Sequence, residues 1–253
     1  MSLDSPKTSL LAGPIGLAYM RIREILTWSS GIRLSIVFAV VFVAHLMVGI
    51  KTDSSRFWVT AIDLTILGFL PFYCLVKGGE SLRSEIRDGT IEYHWARPTS
   101  KASLYLGYYT SSIISTLLFS FACLAAVFLA ALSLGEVESF ISLIRIAIGG
   151  SAIALSFSAL SLALGAITQK FVIVGIIYHL VAEKLIGNLP TLASKISILR
   201  NLKLHLYSTP EYPMELDQPA ILLGYGSILI ITLAALALGI AVFTSKKYAI
   251  GSE

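Results

Sequence analysis

A few ionisable side chains interrupt otherwise apolar runs and are the first candidates for chemistry: His45, Asp63, His179 and Glu183. Such groups are costly in a nonpolar setting and mark functional sites or pairing between helices. His179 and Glu183 are four apart, so an α-helix would carry them on one face. The spacing predicts a hydrogen-bonded pair rather than a proton relay. His45 and Asp63 are expected to pair with polar groups on neighbouring helices, with substrate contact the less favoured role. One histidine and one carboxylate fall short of the three or four ligands a zinc site needs, so no metal is expected. Cys74 and Cys123 both lie in apolar runs, which argues against a disulfide framework or a thiol–metal motif. No Gly-x-x-x-x-Gly-Lys-Ser/Thr stretch occurs, so the chain lacks a P-loop for ATP. Gly78-Gly79-Glu80 follows no strand and is not expected to hold phosphate. No catalytic triad converges on one face, and no catalytic residue is expected.

The elements that must position these groups follow from composition. Of 253 residues, 56% are hydrophobic and only 13% charged, with a mean hydropathy of +0.81. A soluble domain carries about a quarter of its residues charged, so lipid must cover much of this surface. Charge-free runs near the twenty residues of a spanning helix fall at 34–50, 57–76 (with Asp63 and a kink at Pro71), 102–135, 146–169, from 171, and 218–245. The expected fold is all-α and polytopic, one transmembrane domain over 1–253 with six crossings. The fifth is the weakest, because Glu183 and Lys184 follow only twelve charge-free residues. Residues 1–31 carry no signal-peptide pattern. Instead Ile15, Ala18, Tyr19, Ile22, Ile25 and Leu26 share one helical face, which predicts an amphipathic helix along the membrane surface. Residues 183–217 are too apolar for a solvated loop and should form short re-entrant helices on the outer side. Ser151, Ser156, Ser158, Ala159, Ser161, Ala163 and Gly165 would let the fourth crossing approach its neighbours closely.

Six crossings put both termini on the side of the second–third and fourth–fifth connections. That side holds Lys7, Arg21, Arg23, Arg33, Lys77, Arg83, Arg87, Arg97, Lys101, Lys170, Lys246 and Lys247. The other holds Lys51, Arg56, Arg145, Lys184, Lys195, Arg200 and Lys203. The excess of Lys and Arg predicts cytoplasmic termini.

The connection at 77–101 is the most structured-looking. Leu82 and Ile86 share one helical face and Arg83 and Arg87 another. Gly89 stands where a helix C-cap needs positive φ, Ile91, His94 and Trp95 restart a helical spacing, Pro98 ends it, and Ser100 can cap the next crossing. Two short helices meeting at Asp88-Gly89-Thr90 and presenting charge to a partner are expected.

Glu85, Gly89, Thr90, Ile91, Glu92, Pro98, Ser100 and Lys101 resemble the pattern of ABC-2 type transporter permeases: a Glu, then Gly-Thr-aliphatic-acidic, then Pro-x-Ser-basic between the second and third crossings. The layout of nearly the whole chain is also similar to theirs. Lys101 stands where Arg is common, and Trp95 where an aliphatic residue is more usual. The resemblance implies a permease subunit of an ATP-binding cassette exporter in the inner (plasma) membrane of a prokaryote, coupling ATP hydrolysis to substrate movement or to mechanical transmission across the membrane. Residues 77–101 would then be the coupling segment resting on a separate ATPase, with Glu85, Arg87, Asp88, Gly89, Thr90, Glu92 and Arg97 as the contact.

It further implies two ATPase copies, which hold the ATP and Mg, and a second permease chain, identical or similar. A periplasmic or extracellular accessory protein is an additional expected partner; nucleic acid is not. No cofactor is expected on this chain. Crossings two and five would line the permease interface, placing Asp63, Pro71 and His179 near it and turning Phe69, Phe72 and Tyr73 toward an apolar cavity. The competing readings are a membrane-embedded enzyme, which needs converging polar residues at one depth, and a secondary transporter, which needs internal repeats.

Overall fold

The computed structural model describes residues 15, 16, 19, 22, 23, 28–51, 54–91, 100–135, 140–189, 192–207 and 218–246. Among them the regular structure is entirely helical. Helix α1 spans Trp28–Lys51. Helix α2, Ser54–Ala61, continues without interruption through a π-helical stretch, Ile62–Phe69, into α3, Leu70–Arg87. Helix α4 is Lys101–Leu134, α5 Phe140–Ile167 and α6 Phe171–Tyr178, which passes into a second π-helical stretch, His179–Leu185. Two 3-10 turns, Ile186–Asn188 and Leu192–Ile196, lead to α7, Ile198–Leu206, and α8 is Gln218–Ser245.

Among the described residues, five segments are long and apolar enough to cross a membrane: Gly31–Lys51, Arg56–Arg87, Lys101–Leu134, Phe140–Ile167 and Ile221–Ser245. The expected fifth crossing is the exception. Helix α6 and its π-helical continuation cover only fifteen residues, about 22 Å at 1.5 Å per residue, against about 30 Å of hydrocarbon. Helix ends fall where the polar punctuation lies. Ser100 caps α4 by accepting from the Ser103 amide at 3.1 Å, and Gly135 closes it with φ +79°. Pro71 occupies the first turn of α3. It brings no amide proton to the turn it shares with the π-helical stretch, and π-helical turns are a usual way to absorb such an interruption. In the N-terminal segment Ile15, Tyr19 and Ile22 are helical and exposed, three and four apart along one face.

Helix α5 is the hub, packed against α3, α8, α4 and α7. Small residues and hydroxyls make its contacts close. Thr232 donates to Ser156 at 3.0 Å, and Thr116 and Ser158 share a hydrogen bond of 3.2 Å. The tightest point joins α3 and α5. The Gly79 amide donates to the Ser161 hydroxyl at 2.8 Å, and that hydroxyl donates to the Leu75 carbonyl. The Ser161 hydroxyl thus bridges the Gly79 amide and the Leu75 carbonyl, two groups four residues apart on one helix. A methyl group at Gly78 would meet the Ser161 side chain at 2.7 Å, so these glycines serve a helix crossing. The main core gathers around Leu67, Leu70, Cys74, Phe119, Ala126, Ile153 and Phe157, all buried. A second cluster at the end of the bundle joins Leu82, Ile91, Leu104, Tyr105, Tyr108, Leu162 and Phe243.

Candidate functional site

At one end of the bundle α3 runs on to Arg87 as the continuous extension of the long second helix. This corrects the expectation of a separate short helix before Asp88: nothing breaks the 3.6-residue pattern between Pro71 and Arg87, so the chain does not turn until Gly89. There φ is +70°, and the Gly89 amide donates to the Ile86 carbonyl at 3.3 Å. The Thr90 hydroxyl donates to the Glu85 carboxylate and, at 3.3 Å, to the Glu85 carbonyl, which ties the turn back onto the helix. Ile91 is fully buried against Leu82, Tyr105, Tyr108 and Phe243. Arg87 and Asp88 project outward as a loose pair at 3.4 Å, both well exposed, and Lys77 pairs with Glu80 at 2.6 Å near the same end. Exposed pairs of this kind add about 0–1 kcal/mol; their use is to present charge. Glu92, Arg97 and the expected second short helix lie outside the described residues.

At the opposite end the structure brings together residues that sequence spacing did not connect. Glu183, 3% exposed, does not bond to His179. Its carboxylate accepts from the Tyr178 hydroxyl at 2.7 Å, the Ser197 hydroxyl at 2.6 Å, the Leu199 amide at 3.0 Å and the Ile198 amide at 3.3 Å. It thus closes the N-terminus of α7, where unsatisfied amides and the helix dipole favour an anion. The expected His179–Glu183 bond is absent because the Glu183 carboxylate is taken up by the donors at the start of α7, while the His179 ring packs on Phe72 and Phe157. His179 is fully buried, its ring 4.5 Å from Phe72 and 6.1 Å from Phe157, and neither ring nitrogen has a hydrogen-bond partner among the described residues.

The other expected polar residues each reach a neighbouring element, though not each other. His45 meets the Thr65 hydroxyl at 2.9 Å. Asp63 lies 3.9 Å from Lys203 of α7. Tyr73 stacks on Phe119 with ring centres 3.6 Å apart, and Phe69 is 49% exposed. Helix α7 is thereby held at its N-terminus by the π-helical stretch that follows α6, and its Lys203 reaches the π-helical stretch between α2 and α3. His205, near its C-terminal end, stacks edge-on to Tyr225 at 5.1 Å. Burial lowers its imidazole pKa below the usual value, a hydrogen bond to the Arg145 backbone opposes this, and the Arg145 charge adds to the lowering.

No family model matches the chain, and no curated protein does either. Among the described residues no group of three His, Cys, Asp or Glu side chains could hold a metal ion. The arrangement can do two things: present a braced, charged turn at one face, and hold a short amphipathic helix over the other.

Proposed function

We propose that this chain is the permease subunit of an ATP-binding cassette transporter, an exporter working as a dimer with two copies of a separate ATPase. The observation that carries the proposal is the turn at Gly89. A charged cap ends a 32-residue helix, and Ile91 ties that cap into a core shared with α4 and α8. A push on Arg87 and Asp88 would be passed to three spanning helices at once, as a coupling segment requires. In this reading the fifth helix completes a sixth crossing and both termini lie in the cytoplasm, in the plasma membrane of a prokaryote. The second and fifth helices face the partner permease. ATP binding favours the closed ATPase pair, and the turn conveys that preference to the membrane dimer as a shift between two populations.

The deciding experiment is purification in several mild detergents from the native membrane. An ATPase chain should co-purify with this one. Its absence in every detergent would remove the proposal. Glu85→Lys and Gly89→Val should then uncouple ATP hydrolysis from transport while the chain stays in the membrane. Gly89→Val puts a β-branched residue at positive φ, which costs about 1–2 kcal/mol.

A further inference from the structure

The fifth helix, α6 with its π-helical continuation, buries one residue per turn. Phe171, Gly175, His179 and Glu183 are those residues, four apart along one face. Glu183 serves α7, and the other three meet the second helix in antiparallel order. The Phe171 ring lies over Gly79 and leaves no room there for a Cβ. Gly175 faces Leu75, and a Cβ on it would stand 3.7 Å from the Leu75 Cβ. The His179 ring lies 4.5 Å from Phe72. From the fifth helix, then, only Phe171 brings a large apolar side chain to this seam. In lipid no hydrophobic force presses two helices together, so packing and hydrogen bonds must hold them.

His179 works against the closed seam. Its ring is fully buried, yet neither nitrogen has a hydrogen-bond partner among the described residues. A buried polar group left unpaired opposes the state that buries it. His45 is the contrast. It is also buried, but its Nδ1 donates to the Val41 carbonyl at 2.7 Å and its Nε2 accepts from the Thr65 hydroxyl at 2.9 Å. An apolar ring would suit position 179 better than an imidazole as long as the seam stays shut. Such a conflict between residue and surroundings belongs to a site with a second use.

We propose that the fifth helix parts from the second in a further conformation of this chain, and that His179 is the group the gap exposes, hydrogen-bonding to water drawn between the two helices. Opening gives up the packing of Phe171, Gly175 and His179 and satisfies both imidazole nitrogens. Closed and open seams are then two populations, and any partner that prefers one of them shifts the balance. The seam lies on the buried face of the fifth helix, away from the face given to the partner permease, and the proposal does not rest on the transport reading.

The test treats the full chain in mild detergent with diethyl pyrocarbonate, which acylates accessible imidazole nitrogens, and reads each histidine by peptide mass spectrometry. His179 should react on the order of tenfold faster than His45, because only its enclosure opens. A rate no faster than that of His45 overturns the proposal. The seam also supplies its own lock. In a Cys74→Ala, Cys123→Ala background, Leu75→Cys with Gly175→Cys sets two thiols at a Cβ separation of 3.7 Å, inside the range of about 3.5–4.5 Å that a disulfide needs. Oxidation should slow the labelling of His179 on the order of tenfold, and reduction should restore it, with His45 unmoved throughout. Labelling of His179 that the closed disulfide leaves unchanged would also overturn the proposal. Where the cysteine pair does not close, the comparison of His179 with His45 in the unaltered chain decides the matter.

Discussion

Replacing Glu183 should loosen α7 more than any other single change in this segment. The carboxylate accepts four hydrogen bonds, at 2.6, 2.7, 3.0 and 3.3 Å. The two hydroxyl donors, Ser197 and Tyr178, can turn toward other acceptors once it is gone. The amides of Ile198 and Leu199 cannot, because α7 fixes their direction. A buried donor left without a partner costs about 1–3 kcal/mol, so two such amides and the lost packing put Glu183→Ala at about 3–5 kcal/mol. For a chain of this length that is a fall in Tm on the order of 10 °C. Glu183→Gln keeps one acceptor oxygen but turns an amino group toward donors, and should cost about half as much.

Thermal unfolding of the purified chain followed by circular dichroism gives the first number. Hydrogen exchange at Ile198 and Leu199 gives the location, since those two amides should lose protection first. The reasoning fails if Glu183→Ala leaves Tm and the exchange of both amides unchanged, or if Glu183→Gln costs as much as Glu183→Ala.

Gly79→Ala should destabilise by about 1–3 kcal/mol, because its new methyl group would come within 2.9 Å of the Ser161 carbonyl oxygen; a Tm at or above that of the unaltered chain would contradict this. Because burial holds the His205 pKa below its unfolded value, stability is fully present above about pH 6.5 and should decline as pH falls toward the lowered pKa. His205→Asn should flatten that acid limb of the Tm–pH curve, and an unchanged limb would show that other groups set it. His179→Phe should leave stability equal or higher, since it removes two buried nitrogens without partners, and a loss above about 2 kcal/mol would mean that those nitrogens are satisfied.

Much of the helical layout was legible because lipid exposure leaves a compositional mark. The ends of α4 at Ser100 and Gly135, and the turn at Gly89, follow from residue types whose local roles are strong. The π-helical stretches left no such mark, since one extra residue per turn changes no composition. His179 and Glu183, correctly spaced for a common face, part company because Glu183 is bonded to the Ser197 hydroxyl and two amides at the start of α7. The partners of Glu183 begin fourteen residues on, at Ser197, and Asp63 finds Lys203 across most of the chain. Neither pairing is written in local spacing; both depend on where α7 settles. The length of α3 past the membrane was also hidden, because its charged last turns look the same as a separate helix.

The Ser161 bridge bears on the order in which the protein is made. Ser161 leaves the ribosome eighty-two residues after Gly79. Until then the hydroxyl that joins the Gly79 amide to the Leu75 carbonyl is missing, and the nascent second helix must hold this turn by itself. Arrival of α5 adds a side-chain contact to a backbone already formed, so assembly fastens the two helices through the main chain of one of them.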